Sequence, residues 1–249
     1  MTGGDQTILL TGGEGRLGTE LRALLPGVVA PLEAEMDITR PEQVDARLDA
    51  ARPDVLVHAA AYTDVAGAET DRATCWRVNV DGTRNVVRAA AARDVFLVHI
   101  STDYVFEGTS GGYREDDPPG PARNYYALTK LVAEAVARLC RPHLVIRTSF
   151  RPRTWPYPTA FTDVHTSQDY VDVIAPEIAL AIRRCRDVGS DTLHIATERK
   201  SAYELARRRR PEVRPASKLE AKVELPDDIS LDTSRWRELK ARWEEEGRG

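Results

Sequence analysis

Apolar residues along the first two-thirds of the chain fall into two alternating patterns. Short unbroken apolar runs at residues 8–10, 28–30, 54–59 and 96–100, and a fifth opening at 144–146, predict strands buried on both faces. Between them the apolar positions take helical spacing. Residues 16–25 carry Leu17, Leu21, Leu24 and Leu25, and Pro41–Ala51 has proline in its first turn. Residues 79–92 carry Val80, Val86, Val87 and Ala90, and residues 126–139 form a further helix. Buried strands joined by helices imply right-handed crossovers, hence an α/β fold with a Rossmann-type doubly wound parallel sheet.

After Thr148 the pattern loosens. Residues 151–158 contain three prolines and no period. A helix is expected over 171–184, a short strand over 192–195, a helix over 202–209, irregular chain over 218–232 and a charged helix over 233–246. Trp236, Leu239 and Trp243 make one stripe on that last helix, which predicts a core contact. The expected organisation is a dinucleotide-binding core over 1–149 with a catalytic Tyr/Lys helix. Residues 150–249 would form a reduced substrate-binding region, interleaved with the end of the core. It would sit as a small lid on the C-terminal edge of the sheet, where α/β ligand sites form.

Composition narrows the function. At 249 residues, 42% hydrophobic and with a net charge of -4, the chain suits one large α/β domain and not a nucleic-acid binder. The four arginines at 207–210 are the one basic cluster and are expected to be a solvated helix end. Cys75, Cys140 and Cys185 are scattered without a Cys-x-x-Cys pair, which argues for a reducing cytoplasm and against a disulfide framework or metal site. No apolar stretch is long enough to span a membrane, and residues 1–6 are a polar lead rather than a signal peptide.

The most specific chemistry follows the first strand. Thr11 to Gly18 reads Thr-Gly-Gly-Glu-Gly-Arg-Leu-Gly. Gly12 suits a tight turn, Gly15 a close backbone approach to phosphates, and Gly18 close packing of helix on strand. The helix N-terminus adds free N–H groups and a positive dipole end for a pyrophosphate. Tyr126 and Lys130, four apart on a helix, share a face, so the lysine could favour the ionised phenol and also bond a ribose. Ser101 and Thr102 place hydroxyls at the end of the fourth strand, beside the cofactor crevice. Ala59, Ala60 and Ala61 leave room for a flat cofactor to cross the third strand's end, and His58 before them is expected to be packed and hydrogen-bonded.

Together these segments resemble the extended short-chain dehydrogenase/reductases, and most of all the dTDP-4-dehydrorhamnose reductases and related sugar-nucleotide 4-ketoreductases. The matching text runs in family order from residue 7 to 149: residues 10–18, Asp37-Ile38-Thr39, residues 53–63, Asn79-Val80-Asp81-Gly82-Thr83, residues 101–106, Tyr126 to Lys130, and Arg147-Thr148-Ser149. The resemblance implies hydride delivery to a sugar C4 ketone in deoxysugar biosynthesis. Tyr126 would protonate the alkoxide, Lys130 would hold the nicotinamide ribose and lower the tyrosine pKa, Thr102 would orient the carbonyl, and Asp103 would lie at the same site. The implied cofactor set is Gly12, Gly15, Arg16, Leu17, Gly18, Asp37, Ile38, Ala59, Ala60 and Ala61 with Tyr126 and Lys130. The implied substrate set is Thr102, Tyr104, Phe106 and Arg235, the last from the segment 231–235. No metal is expected, and a homodimer is implied by superfamily analogy alone.

The chain departs from the family in four places. His58 replaces the usual Asn, and Ala127 replaces a glycine in the tyrosine motif. Phe150-Arg151-Pro152-Arg153-Thr154-Trp155 replaces a Trp-x-Tyr-Gly turn and a long insertion, and residues 163–169 degrade an Asp-Gln-x-Gly-x-Pro-Thr loop. Glu33 and Glu35 follow the second strand, where a carboxylate near the ribose 2′ position favours NADH over NADPH, with Arg16 opposing. Two alternative functions remain open at this point: a non-catalytic NAD(P)-binding regulatory protein of the same fold, and a reductase or epimerase for a smaller ketone.

Overall fold

The computed structural model describes residues 6–189, 191–221 and 224–247. Its centre is a five-stranded parallel sheet. In chain order the elements are β1 (Ile8–Thr11), α1 (Arg16–Leu24), α2 (Pro41–Ala51), β2 (Val55–His58), α3 (Gly67–Thr70), α4 (Arg72–Trp76), α5 (Thr83–Ala91), β3 (Phe96–Thr102), α6 (Tyr125–Ala137) and β4 (His143–Thr148). The sheet is completed by a strand at Asp191–His194, β9 below, in the order β1-β2-β3-β4-β9. Side chains alternate across the strands as a period of two requires. Leu10, Val57, Val98 and Ile146 face a core shared with α1 and the two late helices, whereas Leu9, Leu56 and Leu97 face α2 and α5.

The expected second strand shrinks to one parallel bridge, Leu9 with Val29. That bridge still decides where ligands go. The chain leaves β1 toward Val29 on one side and returns to β2 on the other. The ends of β1 and β2 therefore diverge into the crevice of a topological switch point. The helix expected over 79–92 also differs. Helical chain begins at Arg72 and passes through a π-helical segment, Arg77–Gly82, before α5. Such one-turn π segments occur frequently at functional sites.

Past β4 the chain builds three small strand pairs. β5 (Phe150–Arg151) pairs with β8 (Asp169–Tyr170), β6 (Thr159–Phe161) with β11 (Arg214–Ala216), and β7 (His165–Thr166) with β10 (Lys200–Ser201). Between them α7 (Val171–Arg183), α8 (Cys185–Val188) and β9 (Asp191–His194) return to the central sheet, and α9 (Ala202–Arg207) stays with the small pairs. This region has its own apolar centre of Trp155, Ala160, Tyr170, Leu205, Ala206 and Val213. The arginine run lies largely exposed at the end of α9, as expected, and three of its members also clamp neighbouring segments. Arg208 bonds Asp169 and Glu198, Arg209 bonds Asp172 and lies over Tyr170, and Arg210 bonds Glu212 and the Tyr157 carbonyl. α10 (Ser234–Glu246) seats Trp236 and Trp243 in the main core.

Candidate active site

The glycine turn has the geometry its sequence demands. Gly12 sits at φ +73°, and a Cβ there would meet the Ala60 nitrogen at 2.6 Å. A Cβ on Gly18 would collide with the Gly12 carbonyl, so both glycines are required by close approach. Gly15 caps α1 without a side-chain hydrogen bond. The first-turn N–H groups of that helix, on Arg16, Leu17 and Gly18, therefore suit the pyrophosphate of a dinucleotide.

The end of β2 is tied to this turn by a chain of hydrogen bonds whose direction follows from counting protons. The Ala60 N–H donates to Thr11 Oγ1 at 3.2 Å, and Thr11 Oγ1 lies 2.8 Å from His58 Nδ1. On the other side His58 Nε2 lies 3.0 Å from Thr83 Oγ1, which donates to the Asn79 carbonyl at 2.6 Å. Thr83 has spent its proton, so His58 must carry its own on Nε2 and accept from Thr11 at Nδ1. Burial, with the Lys130 charge nearby, pushes the His58 pKa down to about 3 and keeps the ring neutral. Asn79, inside the π segment, continues the network. It exchanges two hydrogen bonds with the Tyr62 backbone and donates to Thr129 on α6 at 3.0 Å. Asn79 falls within the family-like segment 79–83, but its place in the π segment is visible only in the structure.

At the end of β3 the reactive groups gather. Thr102 Oγ1 donates to Asp103 Oδ1 at 3.0 Å and accepts from the Tyr104 N–H. Tyr126 and Lys130 lie buried on α6, with the Tyr104 ring edge-on to Tyr126 at 5.9 Å. Lys130 Nζ donates to the Ile100 carbonyl at 2.9 Å, and burial brings its pKa down to about 8. The Tyr126 phenol is raised above its usual range, first by burial and then by Asp103 and Tyr104. The expected lowering of the phenol by Lys130 is therefore not what the structure gives: the ammonium is anchored on backbone and the phenol is held neutral, the form that can donate a proton. Burial also raises Asp103 to about 6, against the pull of the Thr102 and Ser149 hydroxyls and then of the Arg151 charge.

Two predicted substrate residues lie elsewhere. Phe106 is sealed, stacked on Tyr113 at 4.4 Å and covered by the Arg147 guanidinium at 4.9 Å. Arg235 bonds Asp191 and the Thr192 carbonyl at the start of the edge strand β9. Asp191 is level with Leu144 and Val98, well short of Thr102 at the strand's end, so Arg235 is a brace for α10. Asp37 spends one carboxylate oxygen on the Thr39 N–H and hydroxyl, and Ile38 packs against Gly82.

The family model described as RmlD substrate binding domain matches residues 6–175. The dTDP-4-dehydrorhamnose reductase of Burkholderia thailandensis is 45% identical over 150 residues, which is 57% of this chain and 49% of that protein. That of Mycobacterium tuberculosis is 34% identical over 160 residues, 60% of this chain and 52% of that protein. The chain thus spans about half the length of the curated relatives it matches. Among solved structures, a hypothetical dTDP-4-dehydrorhamnose reductase from Sulfolobus tokodaii is similar at 33% identity and a TM-score of 0.81, covering 94% of each chain. The Bacillus anthracis dTDP-4-dehydrorhamnose reductase, solved with NADP, is similar at 26% identity and a TM-score of 0.83, covering 96% of this chain and 93% of that one. With its parallel sheet, its glycine crevice and its Tyr126–Lys130 helix, the chain belongs to the RmlD substrate-binding-domain family.

Proposed function

We propose that the chain is an NAD(P)H-dependent reductase of the C4 ketone of a nucleoside-diphosphate-4-keto-6-deoxysugar, working in deoxysugar biosynthesis. The observation that carries this reading is the convergence of Thr102, Asp103, Tyr104, Tyr126 and Lys130 at the end of β3, beside the glycine crevice. A nicotinamide cofactor held in that crevice would supply the hydride. Tyr126, neutral and desolvated, donates its proton to the oxygen that gains charge, and Thr102 holds that oxygen once its hydroxyl turns from Asp103 Oδ1, to which it donates in the free site. Lys130 contributes a fixed positive charge and would bond the nicotinamide ribose. Gly12, Gly15, Arg16, Leu17 and Gly18 hold the pyrophosphate, Asp37 and Ile38 the adenine, and Ala59, Ala60 and Ala61 the path between. Residues 1–149 form the cofactor half, and 150–249 supply the substrate side while completing the core.

NADH is the preferred cofactor in this reading. Glu14 Oε2 accepts from the Glu33 N–H at 3.1 Å, which sets a carboxylate on the rim of the crevice, where a 2′-phosphate would be repelled. The test is NADH oxidation with a dTDP-4-keto-6-deoxyhexose, with wild type and Tyr126→Phe compared. Loss of a general acid lowers kcat roughly 10²–10⁴-fold, while NADH affinity stays unchanged. Turnover that survives the substitution intact, or well-folded wild type that oxidises no NADH or NADPH with such sugars, contradicts the proposal.

A further inference from the structure

Among the described residues, five buried side-chain atoms have no hydrogen-bond partner. Two are the ring nitrogens of His99. The other three, Asp103 Oδ2, Thr148 Oγ1 and Arg151 Nε, lie at and just beyond the C-terminal ends of β3 and β4. Asp103 follows Thr102 at the end of β3, Thr148 is the register partner of Thr102, and Arg151 ends β5 just beyond. Unpaired buried polar groups are costly, so several in one place in a folded protein call for a ligand as their explanation.

Arg151 is the informative member. Arg47, Arg93, Arg138, Arg147, Arg184, Arg210 and Arg235, the other described arginines that are not exposed, each donate to an oxygen. The Arg151 side chain makes no hydrogen bond and no ion pair to any described residue. Its backbone is fixed by the pairing of β5 with Tyr170, and its guanidinium lies over the Trp155 ring at 5.4 Å. Asp103 feels its charge without closing a salt bridge. A held, half-buried guanidinium with all its donors unspent matches the paired oxygens of a phosphoryl group.

We propose that Arg151 is the phosphate-recognising residue of the substrate site, with Thr148 and Asp103 bonding the sugar next to it. This rests on the reductase reading for the identity of the substrate but not for the existence of the anion site. The phosphoryl group has two sources, the diphosphate of a sugar nucleotide or a phosphate ester on a smaller ketone. In the first case dTDP is the fragment that binds.

The experiment is calorimetric titration of the NADH-loaded protein with dTDP, inorganic pyrophosphate and thymidine, in wild type, Arg151→Gln and Arg151→Lys. Expected is a tenfold or greater loss of dTDP and pyrophosphate affinity in Arg151→Gln, partial recovery in Arg151→Lys, and unchanged NADH affinity throughout. Thymidine serves as the phosphate-free control and should not distinguish the variants. Pyrophosphate binding that depends on Arg151 without dTDP binding points to the smaller phosphorylated ketone and supports the anion site. The same Arg151 dependence in a protein that reduces no sugar nucleotide supports the anion site and removes the reductase reading. Equal affinity for both phosphates in wild type and Arg151→Gln, or no binding of either by wild type, overturns the inference.

Discussion

Two consecutive levels of the β3–β4 ladder end their polar side chains in opposite ways. At the Ser101–Arg147 level, Glu134 accepts from Ser101 at 2.8 Å and from Arg147 at 2.7 and 3.1 Å. Arg138 and His194 complete a closed network. Glu134 and Arg147 are 2% and 1% exposed, with their bonds made. One level on, Thr102 and Thr148 are flanked by Asp103 and Arg151, and three of these four residues keep an unpartnered buried atom. The pKa values record the same contrast. Burial acts to raise Glu134, but the hydrogen bonds and charge of Arg147 win and hold it at about 2. Burial wins at Asp103, which rises to about 6. A carboxylate closed by its arginine is architecture; one left with a free oxygen at a strand end is poised for chemistry.

Substitution at the closed level should have the largest effect on stability. Glu134→Gln leaves Arg147 buried without its counter-charge, and breaking a buried pair in this way costs roughly 3–5 kcal/mol. Chemical denaturation should show that loss, while Asp103→Asn should leave stability unchanged or higher at pH 7. The sign for Asp103 follows from linkage. Its folded pKa of about 6 lies above the ordinary aspartate value of 3.8, so the folded state is relieved as pH falls from about 6 toward 3.8. Equal losses in the two variants would break the comparison.

Activity should follow the open level. The pH profile of kcat/KM should show an ionisation near 6 that disappears in Asp103→Asn, and a decline above about 8 as Lys130 loses its charge. A profile with the same inflection near 6 in both proteins would remove Asp103 from the reacting site. The smallest effect is expected at the rim of the crevice. Glu14→Gln should improve NADPH relative to NADH by a few-fold, about 1 kcal/mol or less for an exposed charge. A ratio of cofactor affinities that does not move would separate Glu14 from the 2′ position.

The sequence made the closed, periodic parts legible. Strands such as Phe96–Thr102 announce themselves because both faces are buried, and the glycine turn because only glycine tolerates the close approach at Gly12 and Gly18. The tyrosine helix was placed within two residues at each end. What stayed hidden depends on contacts between distant segments. The pair Phe150–Arg151 with Asp169–Tyr170 is too short to show a period, and the clamping by Arg208 and Arg209 emerges only when Asp169, Asp172 and Glu198 are brought beside them. Phe106 and Arg235 matched family motifs, but stacking on Tyr113 and the bond to Asp191 commit them to structure. Arg151 gave no signal in the sequence, because an arginine is informative only once its partners are counted.

The central claim is that the open level, with Tyr126 as proton donor, carries out reduction at a sugar C4. It is tested most directly by supplying NADH deuterated at the transferable position with a dTDP-4-keto-6-deoxyhexose and locating the label by NMR. The account predicts deuterium at C4 of the product sugar in wild type and almost none in Tyr126→Phe with cofactor still bound. Label that stays on the cofactor in the wild-type ternary mixture would contradict it.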